Sequence, residues 1–145
     1  MNRKFPPYKG KIMLNLGAGE QRIDGYIGID IKDCGQDMIW DLREGIPFPD
    51  NSVDEVYSCH FLEHLTDDEA IEMMKEIYRV LKPKGQTHHR LPHQQHPTAY
   101  YFGHKTYWNE ARIKTLTRVE GLEKFLVIEN AEKNGELWFA LSKLK

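Results

Sequence analysis

The stretch MLNLGAGEQRIDGYIGID, Met13 to Asp30, constrains this chain more than any other. Met13, Leu14 and Leu16 form an apolar run with Asn15 inside it, and Gly17-Ala18-Gly19 follows at once. Lacking a Cβ, the two glycines let the backbone turn sharply and come close to a ligand. Tyr26, Ile27 and Ile29 then read as a second strand that ends on Asp30. A glycine turn after one strand and an acid at the tip of the next is how open α/β sheets hold an adenosine. The acid accepts hydrogen bonds from ribose hydroxyls.

A chain of 145 residues is expected to form one domain, 1–145, with a real core. Its formal charge of −2 and scattered lysines and arginines give no electrostatic footprint for nucleic acid. No segment approaches a membrane span, and MNRKFPPYKG lacks the apolar core of a signal peptide. Cys34 and Cys59 stand apart from each other, as reduced thiols of a cytoplasmic protein would.

In order, Met1 to Gly10 with Pro6-Pro7 reads as an extended lead-in. Strands are predicted at 11–16, 26–30, 37–42 and 53–60. The loop REGIPFPDNS precedes the fourth. Asp67-Asp68-Glu69 opens a helix through Leu81, closed by Pro83 and Gly85. QTHHRL, 86–91, is a fifth strand with only one strong apolar residue, so an interior place in the sheet is not evident from pattern. A helical period spans 108–119. Apolar runs at 125–128 and 137–141 flank Asn134-Gly135, a hairpin signal of type I′. This order implies a mostly parallel α/β sheet, helices on both faces, and an antiparallel strand near one edge.

At four places in the right order the chain resembles a class I S-adenosylmethionine-dependent methyltransferase of the type 11 kind. LNLGAG (14–19) resembles the first motif, and Asp30 the acid that ends the second strand. IPFPDNSVDEVYSCHFLEHL (46–65) is similar to the loop and fourth strand, and EIYRVLKPKG (76–85) to the helix end. The resemblance implies a Rossmann-like fold and S-adenosyl-L-methionine as cofactor. It implies that Gly17, Ala18 and Gly19 approach the methionine part, that Asp30 binds the ribose and that Ile31 packs on adenine. Asp41 and Leu42 would recognise the adenine edge, and Ser58, Cys59 and His60 would pass beneath the sulfonium. Asn15 stands where many members carry an acid that holds the cofactor's amino group. Only EQRIDG separates Gly19 from the second strand, where parallel strands normally need a crossover of about a dozen residues.

Methyl transfer to a hydroxyl or ammonium requires a proton acceptor, and histidine titrates nearest neutrality. His60, His93 and His104 are the candidates for the acceptor side, and His64 reads better as structural. His88, His89, His93 and His96 are close in sequence, but neighbours in a strand face opposite ways, which argues against a shared ion. FPPY at 5–8 lacks the leading residue and the position of the amino-methyltransferase signature. Cys59 lacks the proline of a cytosine-5 nucleophile. GAGEQR also lacks the third glycine of a nicotinamide site. The reading is a single-domain methyltransferase acting on a small molecule, with no nucleic-acid or membrane partner. A homodimer would let a second copy supply a wall to a short domain's open site. The alternative is a cofactor-binding protein without activity of its own, working inside a complex.

Overall fold

The computed structural model describes residues 10–144, and the extended lead-in therefore lies outside the described residues but for Gly10. Seven strands form one sheet in the order β3-β2-β1-β4-β5-β7-β6. They are β1 (Met13–Leu16), β2 (Tyr26–Asp30), β3 (Met38–Ile39), β4 (Val53–Cys59), β5 (Leu81–Pro92), β6 (Phe125–Lys133) and β7 (Glu136–Lys143). Strands β1 to β5 run parallel, and β7 and β6 are antiparallel additions beyond β5. Asn134 and Gly135 both take positive φ, 53° and 85°, as a type I′ turn requires. No helix joins β1 to β2, so the shortened crossover is real.

Helix α1 (Asp67–Val80) opens with a capping box between Thr66 and Glu69. It stops earlier than Pro83 suggests, because Leu81 already begins β5. Helix α2 (Glu110–Leu116) is shorter than its sequence period, with Asn109 capping it. No helix among the described residues is long and apolar enough to cross a membrane.

Register places Leu14, Val56, Thr87 and Leu141 in one row, and Leu16, Ser58, His89 and Phe139 in the next, all on one face. Both helices pack there. Met73, Met74, Ile77 and Val80 of α1 and Ile113 of α2 join the same buried core. Trp108 stacks on Phe139, and Arg112 of α2 pairs with Asp67 of α1. The expectation of helices on both faces is thereby corrected for the described residues. The opposite face carries Glu55, Tyr57, His88, Arg90 and Trp138, all partly exposed. The missing crossover helix is one that would have covered it.

The unpromising fifth strand sits inside the sheet because its polar groups are partnered. His89 is buried, with Nδ1 2.5 Å from Ser58 Oγ and Nε2 2.6 Å from Thr87 Oγ1, and its ring stacks on Phe139. Burial pulls its pKa down to about 3, so the imidazole is neutral. His88 points to the other face, as the alternation of a strand demands.

The helix-end motif has a mechanical reading. Glu76 Oε1 accepts from Ile46 N–H, while Arg79 donates to the Ile46 and Phe48 carbonyls and pairs with Asp50. This clamp fixes the proline-rich loop before β4. Lys143 ties β7 to the end of α1, donating to the Tyr78 and Leu81 carbonyls and to Asn51.

Candidate active site

A cavity of about 440 Å³ opens at the carboxyl ends of β1, β2 and β4, the place where open α/β sheets bind ligands. One wall is built by the glycine turn and the tip of β2. Gly17 has φ +64° and lies against Phe61. A Cβ there would stand 2.4 Å from the Phe61 ring, so only glycine fits. Asp30 Oδ2 accepts from Gly19 N–H at 2.8 Å and Oδ1 from Lys32 N–H at 3.1 Å, which locks the turn to the strand end. Ile31, 53% exposed, offers an apolar side chain to the cavity. Leu42 and Trp40 complete this side, with Trp40 Nε1 held by the Gly45 carbonyl at 2.8 Å.

Asp41 caps the one-turn helix Leu42–Glu44 instead of ending a strand. Arg43 grips its carboxylate through the backbone and the guanidinium, which holds the carboxyl below its usual range. Ala18 is buried behind the turn and donates to the Ile29 carbonyl. Asn15 is 1% exposed and both atoms of its amide lack a partner. Such a buried amide costs free energy unless a bound polar group reaches it.

The second wall follows β4. His60 takes φ +56°, a left-handed conformation held by its N–H donating to the Arg90 carbonyl at 2.8 Å. Its Nε2 lies 2.7 Å from Glu136, whose other oxygen accepts from Arg90 at 2.7 Å. Burial works against the Glu136 carboxylate, yet those two partners hold its pKa below normal. His60 Nδ1 lies 3.6 Å from Glu63, which is 1% exposed and whose pKa burial pushes up. His64, Leu65, Glu69 and Lys105 also line the cavity.

Of the residues singled out from sequence, Gly17, Gly19, Asp30, Ile31, Asp41, Leu42 and His60 line this one cavity. Ser58 and Cys59 do not line it. Ser58 is fully buried against His89, and Cys59 is partly buried, with its thiol pKa raised by burial. His104 stands just behind His64, the two rings 4.7 Å apart and perpendicular. His93 lies elsewhere, buried, with Nε2 2.5 Å from Glu110. Sequence reasoning missed Trp40, Phe61, Glu63, Lys105 and the cavity position of His64. Glu63 left a signal, a charge set between apolar residues in FLEHL.

Residues 35–88 match the sequence model of a methyltransferase domain. The structure also aligns with a S-adenosylmethionine-dependent methyltransferase of Archaeoglobus fulgidus, TM-score 0.72 at 14% identity, over 93% of this chain and 87% of that one. Over those residues the chain resembles a methyltransferase domain, and its fold is that of class I methyltransferases. Members of this class take S-adenosylmethionine as cofactor. The same fold recurs in Burkholderia thailandensis 1,6-didemethyltoxoflavin-N1-methyltransferase, solved with S-adenosylhomocysteine (TM-score 0.70, 15% identity, 92% and 71% covered). It recurs in a chain of the complex between the Haloferax volcanii Trm112 methyltransferase activator and a methyltransferase (0.71, 17%, 94% and 84%). Among curated proteins, wheat phosphoethanolamine N-methyltransferase 1 is 31% identical over 105 residues, 56% of this chain and 21% of that protein. The ubiquinone/menaquinone biosynthesis C-methyltransferase of Stenotrophomonas maltophilia is 37% identical over 75 residues, 51% and 26%. The chain thus spans about a quarter of the length of these curated relatives.

Proposed function

We propose that this domain binds S-adenosylmethionine in the cavity at the tips of β1, β2 and β4 and transfers its methyl group to a small-molecule oxygen or nitrogen. The observation that carries this is the first wall, a glycine turn locked to Asp30 beside an exposed Ile31 and Trp40. A volume of about 440 Å³ suits a nucleoside-sized ligand. The bound cofactor supplies an electrophilic methyl on a sulfonium, and the chain supplies position, a dry wall and a base.

Gly19, Asp30, Ile31 and Trp40 hold the nucleoside. His60 is the base that takes the acceptor's proton, and Glu136, 2.7 Å from its Nε2, is the carboxylate that stabilises the resulting cation. A small acceptor is supported by the absence of a basic stripe and by the kinds of molecule named in the two curated relatives. Calorimetric titration of the purified chain with S-adenosylhomocysteine and, separately, with NADH tests the reading. Saturable 1:1 binding of the first is expected, and binding of NADH alone would overturn it.

A second reading, binding without turnover inside a complex, has one supporting observation, the likeness to a chain of the Trm112 complex. Tight S-adenosylhomocysteine binding with no methyl transfer from labelled cofactor to any acceptor in a broad set of small amines and alcohols would favour it.

A further inference from the structure

Behind His60 lies a group of side chains that the methyl-transfer reading does not use. Glu63 sits on the one-turn helix Leu62–His64, with 2% of its side chain exposed, and neither carboxylate oxygen has a hydrogen-bond partner. A carboxylate so buried and unsatisfied is costly unless something compensates it. One ligand atom each from Glu63, His64 and His104 lie within 4.8 Å of one another.

Both histidines are oriented alike. Nδ1 of His64 lies 3.3 Å from the Gly103 carbonyl, and Nδ1 of His104 lies 3.3 Å from the Ala99 carbonyl. A carbonyl only accepts, so in each ring Nδ1 carries the proton and Nε2 presents a lone pair. His104 Nε2 lies 3.9 Å from Glu63 Oε2. Imidazoles pinned through Nδ1–H to a carbonyl, with Nε2 left to ligate, are an arrangement of metal-binding histidines. The two segments are also strapped together. Lys105 and Thr106 N–H both point to the Glu63 carbonyl, at 2.7 and 3.3 Å, and Thr106 Oγ1 donates to the Leu65 carbonyl.

We infer that Glu63, His64 and His104 form a binding site for a divalent transition ion such as Zn²⁺. Bonds of about 2.0–2.2 Å place tetrahedral ligands about 3.4 Å apart, so the three need to close by about an ångström. Two imidazoles and one carboxylate leave a fourth position open, and one of the three, His64, lines the cavity. If the cavity is the methyl-transfer site, the open position takes an acceptor oxygen. The ion binds whether or not it is. The other grouping of ligand types, Cys59, His60 and Glu136, is weaker, because Glu136 is already engaged by Arg90 and His60.

The test is a Zn²⁺ titration of chelator-stripped protein prepared without a histidine tag, followed by Co²⁺ spectroscopy. One ion per chain with micromolar or tighter affinity is expected, falling at least tenfold in Glu63→Gln and in His104→Gln but not in Cys59→Ser. Co²⁺ should give visible d–d bands without the near-ultraviolet charge-transfer band of a thiolate. Thermal melts followed by circular dichroism identify any variant that does not fold. Absence of binding at 100-fold excess ion, affinity unchanged in Glu63→Gln, or a thiolate band would each overturn the site. The titration contains neither cofactor nor acceptor, so its failure and a failure to bind S-adenosylhomocysteine are separate results.

Discussion

The cavity's two walls are made in different ways. The wall of Gly17, Gly19, Asp30 and Ile31 comes from one continuous stretch, and its groups satisfy each other: the carboxylate of Asp30 spans the turn and its own strand end. The wall behind His60 draws on β4, the loop after it, the segment near residue 104 and β7. Its carboxylates and imidazoles face one another across those junctions, with Glu63 left without a hydrogen-bond partner. A pocket side that is finished in the free protein is suited to recognition. One that holds an unsettled acid among imidazoles is suited to moving protons or holding an ion.

That division can be broken most decisively at His60. His60→Gln should lower methyl transfer roughly 100- to 10,000-fold, the usual worth of a general base, while calorimetric affinity for S-adenosylhomocysteine changes little. An equal loss of affinity would erase the distinction between the walls. Gly17→Val should do the reverse. A side chain there meets the Phe61 ring in a left-handed backbone, a cost of about 3 kcal/mol in strain and overpacking, so affinity should fall roughly 100-fold. Asp30→Asn is gentler. The charge-assisted bond to Gly19 N–H weakens, and cofactor affinity should drop roughly tenfold with the melting temperature nearly unchanged.

The smallest step concerns the floor under the second wall. His89 is held neutral with a pKa of about 3, whereas an unfolded histidine titrates near 6.5. Below that value the unfolded chain binds more protons, so this contribution is full above pH 6.5 and is lost as pH falls towards 3. The expected loss is at most about 1.4 kcal/mol per pH unit. Urea unfolding followed between pH 7 and 4 should show that slope, and His89→Leu should flatten it. An unchanged slope in the variant would place the acid sensitivity elsewhere.

The same contrast explains how much could be read from the letters alone. The first wall was legible because every group in it is local: a glycine turn, a strand and an acid within Met13–Asp30. The hairpin was legible for the same reason, through Asn134-Gly135. The fifth strand misled because its fitness depends on Ser58, which reaches His89 only by strand pairing. Helices on both faces were expected from the alternation of elements, but the nine residues 17–25 carry no helix, and that side stays partly exposed. Glu63 and His64 sit in a motif whose apolar residues drew attention to packing, and their partner His104 is brought up by a separate segment. His93, adjacent in sequence to a promising proline, is instead occupied by Glu110.

One small contact sets an order of events. The His96 ring lies where a Cβ on Gly135 would be, 2.2 Å from that point, and His93 N–H donates to the Gly135 carbonyl. The loop after β5 is therefore moulded against the tip of a hairpin that the chain has yet to make when that loop is first available. During synthesis, the segment around His96 has no surface to settle on until Gly135 has appeared and its turn has closed. Closing so distant a contact is slow compared with forming a helix, so the loop that carries Ala99, whose carbonyl orients His104, should be among the last parts to find its place. The cavity acquires its recognition wall early and its histidine wall late.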